Sequence, residues 1–142
     1  LFQPTDTKKS VTAQLDFFFL SQEFGPIFFQ GTKWAFYSYL HAGIQVTGFR
    51  VGNFAYVSDI RDYSNQVIDM LIGVETLTIS VHKKEATEVH FGIEEAMEFS
   101  TLIGAKKTYF THLSHDFEHS KIKLPPGFEL AYDGMIIFFT IS

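Results

Sequence analysis

Phe54-Ala55-Tyr56-Val57-Ser58-Asp59 divides the chain into two rhythms. Four apolar and aromatic residues make a short buried strand, and a carboxylate stands directly after it. Upstream of this stretch the sequence reads as strands alone. Downstream, strands alternate with helices.

Working back toward the N-terminus, Gln45 to Val51 alternates polar and apolar, and Gly52-Asn53 supplies the turn into Phe54. Gly48 inside that alternation predicts a bulge or a close backbone approach. Lys33 to Leu40 alternates more loosely, with Trp34, Phe36, Ser38 and Leu40 on one parity. Asp16 to Leu20 and Pro26 to Gln30 are shorter aromatic runs, both expected as strands.

Toward the C-terminus, Asn65 to Ile72 places Val67, Ile68, Leu71 and Ile72 at helical spacing, and Gly73 stops it. Leu77 to Val81 is a strand. Phe91 to Ile103 is the clearest helix: Ile93, Ala96, Met97, Phe99, Leu102 and Ile103 share a face, with Glu94, Glu95 and Glu98 outside it and Gly104 at the end. Thr108 to Thr111 is the next strand. Phe128 to Tyr132 and Met135 to Thr140 flank Asp133-Gly134, the pattern of a hairpin. The order predicts an α/β layered domain with helices packed on a mixed sheet.

The 142 residues suffice for one domain or a large part of one, and 46% are hydrophobic, which supports a sizeable core. A formal charge of −5 argues against non-specific grip on nucleic acid or an anionic membrane. It leaves a phosphate substrate open, since bound cations would invert the local field. The chain contains no Cys, so it offers neither a disulfide framework nor a thiolate nucleophile, which suits a cytoplasmic protein. No run reaches the roughly 18 apolar residues that span a bilayer, and no membrane partner is expected. The chain opens on Leu1-Phe2-Gln3-Pro4 and is expected to be a piece of a longer protein.

Six His are present, most of them near strand ends. His41 follows an aromatic strand, Asp59 follows Phe54 to Val57, and His112 follows Tyr109-Phe110-Thr111. Loops at the carboxyl ends of strands are where layered α/β proteins place ligands. Imidazole with carboxylate is a donor set for zinc, manganese or iron. The plainer reading makes each a surface or turn residue, and assigns His82, beside Lys83-Lys84, to a charged loop.

Five segments in order carry a resemblance: Leu40-His41-Ala42-Gly43 with Thr47-Gly48-Phe49-Arg50; Ala55-Tyr56-Val57-Ser58-Asp59; His90-Phe91-Gly92-Ile93-Glu94-Glu95-Ala96; Tyr109-Phe110-Thr111-His112-Leu113-Ser114-His115-Asp116; and Leu130-Ala131-Tyr132-Asp133-Gly134. Together they resemble the C-terminal half of metallo-β-lactamase-fold hydrolases, in the branch containing the phosphoribosyl cyclic phosphate phosphodiesterase. The resemblance implies half of an αββα sandwich, a mixed β-sheet with helices on one face. It makes residues 1–142 a single partial domain.

It also implies roles. His41 matches a metal-binding histidine, Asp59 the aspartate bridging two metals, and His112 the histidine closing the second metal's shell. His90 matches a catalytic histidine that donates a proton or holds phosphate. His115 matches a position that, in some members, joins cysteines around a structural zinc. Two divalent metal ions, zinc or manganese, are implied for the intact protein, with a small phosphodiester or an RNA end as substrate.

The family's His-x-His-x-Asp-His motif does not occur in residues 1–142, where no two His stand two apart. Ser80 stands where many relatives carry an acidic residue. The chain alone is therefore expected to be inactive, and to self-associate through the face its other half would cover. The alternatives are a non-catalytic interaction module that retains the fold, and an α/β domain of another role.

Overall fold

The computed structural model describes residues 17–115, 117–118 and 121–141. Seven strands form one sheet in sequence order: β1 (Phe24–Phe29), β2 (Thr32–His41), β3 (Ile44–Val51), β4 (Phe54–Val57), β5 (Thr76–Ser80), β6 (Lys107–Thr111) and β7 (Phe128–Leu130). The first three pairings are antiparallel and the last three parallel. The change of rhythm at Phe54 is thus a change of connection. Two-residue turns join β1 to β4, whereas α1 (Asn65–Leu71) and α2 (Ile93–Ile103) carry the chain over to β5 and β6.

The tight turns are chemically specified. Ala42-Gly43 links β2 to β3 with φ of 49° and 78°, the doubly positive pair that matches the twist of a hairpin. Gly43 adopts this freely and Ala42 at a cost.

Both helices cover the same face. Val67 and Leu71 of α1 and Ala96, Phe99 and Ile103 of α2 share one core with Tyr37, Tyr39, Ala55, Val57, Leu77, Ile79 and Phe110 of the sheet. The expected α/β layering, with helices on one face of a mixed sheet, is what the chain forms. On the opposite face the register aligns Phe36, Phe49, Tyr56, Thr78 and Tyr109 across five strands. Phe29, Leu40 and Tyr56 of that face are exposed.

α2 starts two residues later than its apolar pattern suggests, because Gly92 is wedged against the loop before it. A Cβ there would lie 2.5 Å from the Ala86 nitrogen. Its C-terminus closes as expected, with Gly104 at φ 77° donating its N–H to Ser100 and Thr101. α1 ends at Leu71, so Ile72 falls outside the apolar face and is exposed. Arg50 secures that end, donating Nη1–H to the carbonyls of Met70 (2.7 Å) and Ile72 (2.9 Å).

Two expected strands are absent. Residues 17–20 form none, and Phe17, Phe18 and Phe19 are exposed; Asp16 lies outside the described residues. Aromatic content favours a strand only where a neighbour exists to pair with. The hairpin after β7 also fails. Asp133-Gly134 does turn the chain, with Met135 donating to Tyr132 at 3.0 Å, but residues 135–140 do not return along β7. They run to the β3–β4 turn instead. There Asn53 donates its N–H to the Thr140 carbonyl (3.3 Å), and Thr140 N–H donates to Asn53 Oδ1 (3.0 Å). Phe139 stacks on Phe54 with ring centroids 4.4 Å apart.

Gly48 is the close approach its position suggests. A Cβ there would meet the Tyr37 ring at 2.3 Å, while the Tyr37 hydroxyl reaches past to the Tyr56 carbonyl at 3.0 Å. Tyr37 is fully buried and cannot swing away. Gly48→Ala is expected to cost about 2 kcal/mol, typical of overpacking. An unchanged urea midpoint would show that Tyr37 yields.

Candidate metal centre

The carboxyl ends of β2, β4, β5 and β6 lie at one edge of the sheet, and the loops leaving them converge. Asp59 is two residues past β4, and His112 is the first residue past β6. Both have left-handed backbone, with φ of 49° and 60°. Such conformations cost non-glycine residues of order 1–3 kcal/mol and concentrate at functional sites. Here they turn two donors toward each other: His112 Nε2 stands 3.9 Å from Asp59 Oδ1.

His90 reaches the same carboxylate from the loop before α2, with Nε2 3.5 Å from Asp59 Oδ1. Thr87 holds that loop. Its Oγ1 accepts from the N–H groups of His90 (3.0 Å) and Val89 (3.3 Å), and its own N–H donates to the His90 carbonyl (3.0 Å). Asp59, His90 and His112 each present a donor atom within 4.8 Å of the others, the spacing of a shared ion.

His41, the last residue of β2, packs its ring 4.7 Å from that of His90. His82 closes the group, with its ring 5.2 Å from His90 and 5.3 Å from His112. It is not the charged-loop residue its lysine neighbours suggest. Lys83 and Lys84 are exposed, but Val81 N–H donates to Thr111 (2.9 Å) and Ser114 N–H to the His82 carbonyl (3.0 Å). These bonds tie the segment after β5 to the segment after β6, beside His112. No periodicity marks such a residue. Its one signal is a position just past an apolar strand, shared with Asp59 and His112. His115 is exposed on the loop beyond His112, outside the donor group.

The donors fit a cation. Asp59 Oδ1, His41 Nδ1 and His82 Nδ1 are buried without a hydrogen-bond partner. Buried polar atoms are nearly always satisfied, and an ion held by Asp59, His90 and His112 would satisfy Asp59 Oδ1. Burial first, then the neighbouring imidazoles, push His90 below the usual histidine range, against the opposing pull of Asp59. A neutral imidazole at neutral pH is the form that binds metal. An open cleft of about 590 Å³ adjoins His112, lined by Thr111, Leu113, Ala131, Tyr132 and Asp133.

Tyr39 sets the turn that carries Asp59. Its buried hydroxyl donates to the Ser58 carbonyl at 2.6 Å, and burial raises the phenol's pKa, so it stays a donor. Tyr39→Phe strands that carbonyl and is expected to cost about 1–2 kcal/mol. Chemical denaturation checks it, and a loss under 0.3 kcal/mol (roughly, against the same bond value) would mean water replaces the hydroxyl.

Comparison with solved structures gives this architecture a place. A diphosphatase of the PhnP family superposes with a TM-score of 0.77 and 29% identity, over 82% of this chain and 47% of that one. The metallo-β-lactamase fold protein YhfI from Bacillus subtilis superposes with a TM-score of 0.63 and 18% identity, over 80% and 52%. The fold is that of the metallo-β-lactamase proteins. The short form of human tRNase Z shares it, at a TM-score of 0.66 and 18% identity over 84% and 48%. The chain spans about half the length of these metallo-β-lactamase-fold structures. No family model matches the sequence. Among curated proteins, an octanoyltransferase from Porphyromonas gingivalis is 29% identical over 101 residues, 68% of this chain and 20% of that protein. Four-fifths of that relative lies outside the match, so its name says nothing of this segment. Among the described residues no helix is long and apolar enough to cross a membrane.

Proposed function

We propose that this chain is the C-terminal half of a metal-dependent hydrolase of phosphodiester bonds, acting on a cyclic phosphate or an RNA end. The observation that carries the reading is Asp59 with two imidazoles on its Oδ1, all at strand ends. The likeness to a diphosphatase at 29% identity supports chemistry at phosphorus.

In this reading Asp59, His112 and His41 would hold two divalent ions, zinc or manganese. Bound divalent metal supplies a hydroxide near neutral pH and offsets phosphoryl charge. His90 stands 3.5 Å from Asp59 Oδ1, where it would hold a phosphoryl oxygen by N–H or donate a proton. The cleft beside His112 would seat the leaving group. His115, exposed nearby, is left for a structural zinc whose other ligands lie on other residues.

The other half of the site is an upstream His-x-His-x-Asp-His. With manganese or zinc, the chain alone is expected to leave bis(p-nitrophenyl) phosphate intact. A longer product of the same gene that carries this motif is expected to hydrolyse it. Robust turnover by the chain alone, abolished by His112→Ala, would overturn the division into halves. An inert longer product would overturn the hydrolase.

The open sheet face bears on the isolated chain. Phe29, Leu40 and Tyr56 expose apolar surface that a second half would bury, so a second copy of the chain is its expected cover. Light scattering at high concentration tests this, and a monodisperse monomer would contradict it.

A further inference from the structure

Asp59 and His90 come from different segments, so their 3.5 Å separation has to be held from both sides. The Asp59 segment is fixed to β2. Leu40 N–H donates to the Asp62 carbonyl (3.0 Å), and the N–H groups of Arg61 (3.3 Å) and Asp62 (3.2 Å) donate to the Leu40 carbonyl. The His90 segment is fixed elsewhere. Its bonds to Thr87 close it on itself, and Ile93 N–H donates to the Lys84 carbonyl at 2.9 Å where α2 begins. These bonds tie neither segment to the other.

Arg61 makes that join. It stands two residues past Asp59, and its Nη1–H donates to Glu95 Oε2 at 2.7 Å, the length of a charge-assisted bond. Glu95 lies in the first turn of α2, five residues past His90. α2 is a firm anchor, because Ala96, Phe99 and Ile103 are buried in the core. Tyr63 crosses the same way, with its ring edge-on to Phe91 at 6.1 Å and to Phe99 at 5.0 Å. The side chains of Arg61 and Glu95 are 27% and 36% exposed, and ion pairs that wet contribute little to stability. A short, directed bond that adds little to stability acts chiefly on position.

We propose that Arg61 and Glu95 are positioning residues, a clasp that holds Asp59 against His90 and so sets the affinity of the Asp59, His90 and His112 group for a divalent ion. This rests on the metal-site reading above and goes beyond it, because neither residue of the clasp touches the ion.

Calorimetric zinc titration of the whole chain tests this with Arg61→Met and Glu95→Met. Charge alone would drive the two variants apart. Losing a cation beside the site strengthens zinc binding, and losing an anion weakens it. Losing a clasp weakens both. Each variant is expected to bind zinc about tenfold more weakly, the lower end for residues that support a ligand. The exchanged pair, Arg61→Glu with Glu95→Arg, is expected to recover most of that loss. Urea midpoints without metal are expected to stay close to wild type. Wild-type affinity in both single variants, tighter binding in Arg61→Met, or no recovery in the exchanged pair would overturn the clasp and leave the metal centre standing. A single variant that fails to fold would make the pair structural and overturn it too. A wild-type chain that binds no zinc would overturn the clasp together with the metal centre of this chain, whereas the hydrolase reading falls only if the longer product is inert.

Discussion

Replacing Asp59 by glycine is expected to abolish metal capture and to make the metal-free chain more stable. Asp59 holds φ at 49° and buries Oδ1 without a partner. Strain of that kind costs of order 1–3 kcal/mol, at the lower end for an aspartate, and glycine removes both the strain and the orphaned oxygen. Glycine gives back about 0.5–1 kcal/mol through its freer unfolded state. The net expectation is a gain of about 1 kcal/mol in urea denaturation without metal. Zinc affinity moves the other way. Losing a residue that merely supports a ligand costs 10–100-fold, so losing the central carboxylate should exceed about a hundredfold. A residue that costs stability and is indispensable for binding is held by function. If Asp59→Gly destabilises the chain and spares zinc binding, Asp59 is a structural turn residue.

The second large effect lies under the site. Phe110 is fully buried in β6, stacks on Phe128 at 5.8 Å between centroids, and stands two residues before His112. Phe110→Ala opens a cavity in the single core and is expected to cost about 3–5 kcal/mol. Since domains of this size are stable by about 5–15 kcal/mol, that removes a large part of the total. The destabilisation should carry into binding, because β6 positions His112. Thermal and urea denaturation measure the first effect and zinc titration the second. A loss below about 1 kcal/mol would mean that the core closes over the gap.

The sequence announced what local pattern can carry. Alternation and aromatic content located β2 to β4, and helical spacing located α1 and α2 to within two residues. Asp59 and His112 were legible because each directly follows an apolar run that fixes where the strand stops. What was hidden depends on partners distant in sequence. Asp133-Gly134 does make a turn, but Asn53, 87 residues before Thr140, captures the strand expected to follow it. Phe17 to Phe19 look like a strand and have no strand beside them. His82 was obscured by Lys83 and Lys84, which do face solvent; the bonds that turn it inward go to Thr111 and Ser114 on another strand end. Composition near a residue reports its neighbours' exposure, while the sheet register decides its own.

By resemblance, His41 is a ligand and His90 is a non-ligand that donates a proton or holds phosphate. In the structure His90 Nε2 lies 3.5 Å from Asp59 Oδ1, and the His41 ring packs 4.7 Å from that of His90. Burial first, then the adjacent imidazoles, push His90 below the usual histidine range, against the pull of Asp59.

The central claim is that loops from four strand ends build one metal centre on Asp59, and crystals grown with zinc test it most directly. An anomalous difference map should show its strongest peak among Asp59, His90 and His112. A map with no peak there, or with zinc held only at surface histidines such as His115, would contradict it.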